Sequence, residues 1–376
     1  MLWRRLGRLY KIRRKNKMLK RIYIDNYKCC VNLDVKFDSI NLLLGDNGAG
    51  KSTVFEVLLK LQSLVSRGGK VSTFFPARNL TRWQKTNKQR FELELDGNGG
   101  TYNYKLELIH ETSQPSRIYQ ESLSFDKNIL IDFIDDEVQL YLDDGSTDTK
   151  YPSRSDNSVI TALPDRRSNP KIIWFKERLN KFIIVRIDPM QIRHESGEES
   201  AFLDKYSRNF VDWYRQVSQN QGKIFQITNA LQEVIDGFKY FEFEKSGKDR
   251  QLLKVQIGNS SYQFHELSDG QRVLIILYAL IYFARNHEYT LFIDEPGNFV
   301  SLPEIQPWLS TLYDFCTDGE LQSIIISHHP EYINYLAGSV GLWFERKQDA
   351  PVRVTAVSDE NNFDIAELVA RGWLHE

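Results

Sequence analysis

The sequence has few cysteines, no apolar run long enough to cross a membrane, and no internal repeat. Its three cysteines, Cys29, Cys30 and Cys316, show neither the spacing of a metal site nor a disulfide framework. The longest apolar stretches, such as residues 273–283, are shorter than the ~20 residues of a transmembrane helix. The basic N-terminus is not followed by the apolar segment of a secretory signal. These features predict a cytoplasmic protein with reduced thiols and no membrane partner.

The N-terminus also lacks acidic residues. Residues 1–17 contain eight lysines and arginines and no aspartate or glutamate. Removing these eight charges from the formal net charge of −1 leaves −9 for the rest of the chain. Such a basic extension is able to bind nucleic acid, whereas the acidic body argues against broad nonspecific affinity for DNA. Nucleic acid is therefore retained as a candidate partner.

A phosphate-binding loop follows an apolar strand predicted at residues 40–44. Gly45, Gly50, Lys51 and Ser52 have the spacing Gly-x4-Gly-Lys-Ser. Glycines at these positions let several backbone N–H groups point at the phosphates of a nucleotide, and the following helix adds the positive end of its dipole. Lys51 is expected to reach the β- and γ-phosphates, and Ser52 to bind Mg²⁺. The sequence thus predicts that ATP or GTP is bound with Mg²⁺ by Gly45, Asn47, Gly48, Gly50, Lys51, Ser52 and Thr53.

Two further apolar strands end in polar residues. The run at residues 290–294 ends in Asp294 and Glu295, and the run at 323–327 is followed by His328. Continuous apolar runs are typical of parallel strands that are covered on both faces, and ligands bind at the carboxyl ends of such strands. Asp294 is expected to bind Mg²⁺, and Glu295 to orient or deprotonate the attacking water. An ordinary solvated turn is the alternative for this acidic pair.

The fourth motif is Ser268-Asp269-Gly270-Gln271, which precedes an apolar helix predicted at residues 273–283. The order P-loop, Ser-x-Gly-Gln, Asp-Glu and His resembles that of the ABC-class ATPases. More narrowly, it resembles the soluble branch that includes RecF, the SMC proteins and the OLD-type ATPases. The resemblance covers the chain from about Met18, where members of this branch typically begin. It implies an α/β ABC-type P-loop NTPase with a mixed or parallel core sheet, an antiparallel β subdomain and a short helical insertion.

The resemblance also implies a head-to-tail dimer with each ATP bound between two subunits. The P-loop, Asp294 and Glu295 would come from one subunit, and Ser268, Gly270 and Gln271 from the other. His328 would contact the γ-phosphate, with His329 as the alternative. The family usually has glycine where this chain has Asp269, so the charge of Asp269 is expected to tune nucleotide affinity.

Three further contacts are implied by the family's pattern. In this family a glutamine that binds Mg²⁺ or water follows a strand between the P-loop and the Ser-x-Gly-Gln motif, here residues 268–271 and called the signature motif below. Gln191 after residues 182–187 fits that form, and Gln84 and Gln89 are rivals. Asn26 and Lys28 follow the first predicted strand, where this branch contacts the base or phosphates. A solvated strand end is the alternative for both residues.

The segments between the motifs define the expected domain organisation. Residues 1–17 are a basic extension, and residues 18–376 are expected to form a single ABC domain. Alternating apolar and polar residues between 91 and 145 predict antiparallel strands, one of them at 129–142. Residues 145–170 form a polar loop, and residues 192–260 are predicted to be a helical insertion. The insertion contains an aromatic stripe, interpreted as core packing with a partner surface as the alternative: Phe202, Tyr206, Phe210, Val211, Trp213 and Tyr214.

The lengths of two segments, between Gln191 and Ser268 and after His328, argue against two of the related classes of protein. Only 76 residues separate Gln191 from Ser268, too few for the coiled-coil arms of SMC proteins. After His328 there are 48 residues, and the Toprim nuclease domain of OLD proteins is absent from them. We therefore expect an ATP-hydrolysing switch, a dimer or a higher assembly, that controls a separate effector. The resemblance implies a nuclease effector in prokaryotic anti-phage defence. The alternatives are a RecF-like DNA-repair ATPase and a scaffold that binds ATP without hydrolysis.

Overall fold

The computed structural model describes residues 18–111, 114–163 and 169–357. The chain divides into two compact units. Of the described residues, those within Met1–Ser39 and Ser63–Leu179 form unit 1, and those within Ile40–Gln62 and Asn180–Glu376 form unit 2. The single domain predicted from residue 18 onward thus contains residues of both units, and the basic extension at 1–17 lies outside the described residues.

The strands follow one another along the chain as β1 (Met18–Asp25), β2 (Leu33–Lys36), β3 (Ile40–Gly45), β4 (Lys88–Gly97), β5 (Gly100–Ile109), β6 (Arg117–Phe125), β7 (Asn128–Ile134), β8 (Glu137–Tyr141), β9 (Thr147–Pro152), β10 (Phe182–Val185), β11 (Glu195–Ser196), β12 (Phe238–Lys245), β13 (Gln251–Ile257), β14 (Ser260–Gln263), β15 (Thr290–Asp294), β16 (Gln322–Ile326), β17 (Gly341–Glu345) and β18 (Arg353–Ala356). The α-helices are α1 (Lys51–Gln62), α2 (Val71–Phe74), α3 (Val159–Ala162), α4 (Pro170–Asn180), α5 (Phe210–Val217), α6 (Gln221–Val234), α7 (Asp269–Ala284), α8 (Leu302–Thr317) and α9 (Pro330–Val340).

Unit 1 contains an eight-stranded antiparallel sheet in the order β2-β1-β4-β5-β6-β7-β8-β9. Period-two alternation produces it: Tyr104, Leu106 and Leu108 of β5 are buried, and the residues between them are partly exposed. The single strand predicted at residues 129–142 is wrong, because the chain reverses between β7 and β8. Asp135 and Asp136 both have positive φ there (51° and 62°), the backbone of a two-residue hairpin turn.

Unit 2 is built on a six-stranded sheet in the order β10-β15-β16-β3-β17-β18. The first five strands are parallel to their neighbours, and β18 pairs antiparallel with β17. Every residue of β3, β10, β15 and β16 is buried, which explains why these strands are continuous apolar runs in the sequence. Because β10, β15, β16 and β3 are parallel neighbours in this order, their carboxyl ends lie side by side. Helix α7 is also buried around its circumference between Val273 and Ile281.

The insertion predicted to be helical is only partly so. Helices α5 and α6 lie within residues 192–260, but β12 and β13 form an antiparallel hairpin after them. The hairpin buries Phe238, Leu253 and Val255 in the core of unit 2. The aromatic stripe packs as expected in α5, whose apolar and aromatic residues are buried, whereas Phe202 is exposed.

The predicted loop at residues 145–170 contains β9 and α3, and residues 164–168 lie outside the described part. Among the helices that the structure describes, none has the length and apolar character needed to cross a membrane.

Candidate functional site

The P-loop connects the end of β3 to the start of α1. Gly45, Gly48 and Gly50 have φ values of 128°, 83° and 105°, which side chains other than glycine rarely allow. A Cβ atom on Gly45 would lie 2.0 Å from the carbonyl oxygen of Phe344 in β17. Glycine is therefore required at Gly45 both by its dihedral angle and by the close approach of the neighbouring strand.

Lys51 is the first residue of α1, and its side chain is buried. The ammonium group donates to the carbonyl oxygens of Gly45 and Asp46, the latter at 3.0 Å. Burial lowers the pKa of Lys51, and the negative charges of Glu295 and Asp294 partly oppose that effect. The loop is thus closed around a buried cation that faces two carboxylates.

Ser52 and Asp294 fit a Mg²⁺ site. The Ser52 hydroxyl donates to Oδ2 of Asp294 at 3.2 Å, joining the start of α1 to the end of β15. Hard oxygen donors of this kind, completed by phosphate oxygens and water, are what Mg²⁺ prefers in nucleotide sites. A hydroxyl and a carboxylate already in contact are therefore a suitable donor pair for the ion.

Glu295 directly follows β15 in a left-handed conformation with φ of 54°. Its backbone N–H donates to the carbonyl of Ile326 at 2.8 Å, and its Oε2 accepts from the backbone N–H of His328 at 3.3 Å. Burial raises the pKa of Glu295, and the nearby charge of Asp294 acts in the same direction. Lys51 and Arg186 oppose this rise through their positive charges. A partly buried carboxylate with these neighbours is suited to hold a proton.

The two histidines after β16 have different surroundings. His328 Nε2 lies 3.7 Å from Oε1 of Glu295, and burial lowers the pKa of its imidazole. His329 instead caps α9, where its Nδ1 accepts from the backbone N–H of Glu331 at 3.3 Å. The geometry thus brings His328, rather than His329, toward the acidic pair.

These elements enclose a cleft of about 200 Å³ at the carboxyl edge of the sheet. Most of its lining consists of residues predicted from the sequence. Arg186, Ile326 and Ala49 were not singled out. The cleft is lined by Asn47, Gly48, Ala49, Gly50, Lys51, Ser52, Thr53, Arg186, Asp294, Glu295, Ile326 and His328.

The signature motif begins α7. Ser268 is its N-cap, and the Ser268 hydroxyl accepts from the backbone N–H of Gln271 at 3.2 Å. The Gln271 side chain accepts in return from the N–H of Ser268 at 3.1 Å. A Cβ atom on Gly270 would lie 2.6 Å from the carbonyl oxygen of Phe299, so this glycine lets two backbones meet. Asp269 pairs with Arg272, which also donates to the Pro189 carbonyl at 2.9 Å. The signature residues do not line the cleft of their own chain.

The cleft does not include Gln191. This side chain is exposed and donates to Oδ2 of Asp188 at 2.5 Å, within a short turn of helix after β10. Its rival Gln89 is buried in unit 1, between His110 and the carbonyl of Asn26, and Gln84 also belongs to unit 1. Arg186 is the residue that follows β10 and lines the cleft. The same signal that identified Asp294, the first polar residue after a buried strand, would have found it.

Asn26 and Lys28 belong to unit 1, in a turn after β1. Asn26 is buried, and its amide donates to the carbonyls of Thr86 and Lys88 at 2.9 and 2.7 Å. Its Oδ1 accepts from the N–H of Thr81 at 3.1 Å. Asn26 thus already uses both amide protons in hydrogen bonds inside unit 1, which argues against the predicted contact with a nucleotide. Lys28 is exposed with φ of 52°, and its ammonium lies 5.7 Å from the Tyr27 ring centre.

Residues 40–334 match the family AAA_21, described as "AAA domain, putative AbiEii toxin, Type IV TA system". The chain belongs to this family. No curated protein matches the sequence. The fold is also similar to solved Smc head domains. One, bound to the C-winged helix domain of ScpA, has a TM-score of 0.57 and 10% identity, over 90% of this chain and 98% of that chain. Another, with an extended coiled coil and bound to the C-terminal domain of ScpA derived from Pyrococcus furiosus, has a TM-score of 0.53 and 9% identity, over 90% and 96%.

These findings confirm the predicted fold. The protein is an AAA/ABC-type P-loop ATPase family member with an ABC-type α/β core, in which the parallel sheet carries the P-loop and a separate antiparallel sheet lies in unit 1. At about 10% identity the Smc heads establish the fold alone.

Proposed function

We propose that the protein is a Mg²⁺-dependent ATPase whose ATP-driven dimerisation controls a separate effector. One observation carries the proposal. The P-loop lysine, the Ser52–Asp294 pair and Glu295 converge on one cleft, supplying a phosphate cradle, a metal site and a base. The presence of Glu295 and His328 in this cleft supports hydrolysis over a scaffold that binds ATP without turnover.

The chemistry follows from these positions. Backbone N–H groups of the P-loop and the Lys51 ammonium bind the β- and γ-phosphates. Ser52 and Asp294 would hold Mg²⁺, which neutralises charge on those phosphates. Glu295 orients water so that its oxygen bonds to the γ-phosphorus while the bond to the β,γ-bridging oxygen breaks. The water proton passes to Glu295, and ADP and phosphate are the products.

Dimerisation is supported by the signature motif. Its polar groups are held by the capping box at the start of α7, where N–H groups and the helix dipole favour an anion. Because the motif does not line its own cleft, a second copy arranged head to tail would receive it at the γ-phosphate. His328 would contact the γ-phosphate and bridge to the partner subunit.

A separate effector is supported by two similarities. The family's description includes a putative toxin and a type IV toxin–antitoxin system, and two similar Smc heads were solved bound to domains of ScpA. We propose that the partner is a nuclease and that the pair acts in prokaryotic anti-phage defence.

Glu295→Gln tests the core of the proposal. We expect hydrolysis to fall by on the order of 10²–10⁴-fold, because the base is lost and the shape is kept. ATP with Mg²⁺ should then hold the variant as a dimer, measured by light scattering during size-exclusion chromatography, whereas ADP should not. Glu198→Gln, an exposed acid outside the cleft, is the matched control. Undiminished hydrolysis in Glu295→Gln would refute the assignment of the base.

A specific observation favours a second candidate, a RecF-like ATPase that binds nucleic acid directly. Residues 70–91 contain six lysines and arginines and no acidic residue. Arg78, Arg82 and Lys85 are exposed, and within the described ranges no acidic side chain pairs with them. Trp83 lies among them with 36% of its surface exposed. Cations interleaved with an aromatic ring suit a nucleic-acid backbone and an unstacked base. ATPase activity stimulated by DNA would favour this candidate over the effector-coupled switch.

A further inference from the structure

One guanidinium in the cleft has no part in the scheme above. Arg186 is the first residue after β10, whose register with β15 pairs Val185 with Ile293. Arg186 therefore follows its strand at the level at which Asp294 ends the neighbouring one. It lines the same cleft as the P-loop, both acidic residues and His328.

The surroundings of Arg186 hold its backbone and leave its charge available. The backbone N–H donates to the carbonyl of Lys205 at 2.6 Å, which fixes where the side chain emerges. The side chain is exposed, and no acidic residue in the described part of the chain forms an ion pair with it. Its side chain nevertheless belongs to the site, because it lines the same cleft as Lys51 and Glu295. A permanent cation thus stands at the cleft without a partner carboxylate among those residues.

We propose that Arg186 binds the γ-phosphate of ATP from within its own subunit and stabilises the negative charge that develops there during hydrolysis. This inference rests on the proposed ATPase function. In this chain Arg186 occupies the position directly after β10, near which the resemblance implied a glutamine. An arginine is always protonated and presents a planar fork of donors that fits two phosphate oxygens. A glutamine amide would offer neither the charge nor the fork.

Arg186 transfers no proton in this role. The water oxygen still bonds to the γ-phosphorus, the bond to the bridging oxygen breaks, and Glu295 takes the proton. The guanidinium stabilises the phosphoryl oxygens while both bonds are partial, so its effect is larger in the transition state than for bound ATP. ADP lacks the γ-phosphate, so its affinity should not depend on Arg186.

The test compares Arg186→Gln and Arg186→Lys with the wild type. Arg250→Gln is the matched control, because Arg250 is a highly exposed arginine of unit 2 outside the cleft, paired with Glu195. Affinities are measured by fluorescence for ADP, for a non-hydrolysable ATP analogue, and for ADP with aluminium fluoride, all with Mg²⁺. The turnover number is measured in parallel.

For Arg186→Gln we expect a turnover number lower by on the order of 10³-fold, the lower range for an arginine that acts on a transferring phosphoryl group. Affinity for the aluminium fluoride complex should fall by at least about 10-fold, and affinity for ADP should stay within about 3-fold. Arg186→Lys should recover part of the loss, because it keeps the charge and loses the fork.

Two results would overturn the inference. One is a turnover number and analogue affinities equal to those of the wild type. The other is an equal loss of affinity for ADP and for the aluminium fluoride complex, which indicates general damage to the cleft. Failure of the proposed function is distinguishable, because a wild type without hydrolysis refutes the ATPase while the ratio of analogue to ADP affinity still tests Arg186.

Discussion

At the scale of single residues, Gly45 occupies a position that admits no side chain. A Cβ atom there would overlap the Phe344 carbonyl, and φ is 128°. We expect Gly45→Ala to displace β17 from β3, to lower the free energy of unfolding by about 3 kcal/mol or more, and to abolish nucleotide binding. Urea unfolding of the nucleotide-free protein measures the first effect, and fluorescent ATP binding the second.

Gly48 provides the matched control for Gly45. Its φ of 83° is also positive, but a Cβ atom there would meet nothing within 4 Å. Gly48→Ala should therefore cost only the backbone strain, about 1–2 kcal/mol. Equal losses of stability in both variants would contradict the argued contact with Phe344.

The residues of the cleft could be predicted where a motif fixed their spacing, and less well elsewhere. Lys51, Ser52 and Asp294 are placed by short-range geometry, since the first two lie at the start of α1 and the third ends β15. Gln191 was chosen because its residue type fits the family's pattern, but five residues separate it from the end of β10. Arg186 stands at the strand end itself, where the sequence shows it as the first polar residue after an apolar run, but the glutamine of the family's pattern directed the choice to Gln191.

At the scale of elements, a buried carboxylate joins β5, β6 and α3 within unit 1. Oε1 of Glu121 accepts from the Tyr104 hydroxyl at 2.8 Å and the Ser158 hydroxyl at 2.6 Å. Oε2 accepts from the backbone N–H of Val159 at 2.8 Å. Burial raises the pKa of Glu121 even though these hydrogen bonds oppose the rise. The inward face of β6 thus carries a carboxyl group whose ionised form is disfavoured by burial.

The sign of the pH effect follows from that preference. Because the folded pKa lies above the unfolded value of about 4.3, the stability contributed by Glu121 is full at low pH and is lost as pH rises through the folded pKa. Glu121→Gln should keep all three contacts, since the amide oxygen accepts from Val159 and both hydroxyls are able to accept from the amide nitrogen. The variant should gain free energy of unfolding relative to the wild type between pH 5 and pH 8, measured with urea.

Glu121→Leu separates charge from hydrogen bonding. It leaves the Val159 N–H and two hydroxyls without an acceptor, and should destabilise by about 2–5 kcal/mol at both pH values. If the free energy of unfolding of Glu121→Gln differs from that of the wild type by the same amount at pH 5 and pH 8, the argument that Glu121 titrates with a raised pKa is contradicted.

Element boundaries were missed where a short break in the apolar period was overlooked. The alternation across residues 129–142 is interrupted by three consecutive acidic residues, Asp135, Asp136 and Glu137, and the buried positions after them are out of phase with those before. The Asp-Asp pair adopts positive φ as Asn-Gly would, but it is a weaker turn signal. In the insertion, the helical period of α5 and α6 was extended over β12 and β13, although Phe241 and Phe243 alternate with charged residues as a strand would.

At the scale of the whole molecule, sequence order was enough to predict the core. Parallel strands place their carboxyl ends at one edge, so motifs that follow β3, β15 and β16 must meet there whatever lies between them in sequence. The same reasoning fails for unit 1, where neighbouring antiparallel strands bring no motif to a shared edge. The partner cannot be read from this topology, because the fold is shared by proteins of different function.

The basic segment at residues 70–91 allows the two candidate functions to be separated. We expect Arg78→Glu, Arg82→Glu and Lys85→Glu together to weaken binding of a fluorescent 30-nucleotide DNA by at least about 10-fold, because three phosphate contacts are lost. The slope of log affinity against log salt should fall by about 2 for single-stranded DNA. Anisotropy titrations at several salt concentrations measure both quantities.

A control with the same change in net charge decides whether the effect is local. Lys239→Glu, Lys245→Glu and Lys248→Glu together alter three exposed lysines in the insertion of unit 2 and shift the charge by the same amount. If both triple variants lose affinity equally, bulk electrostatics and not the basic segment attracts DNA. If neither binds more weakly than the wild type, the segment has no role with nucleic acid, and the effector-coupled switch is the function that the cleft supports.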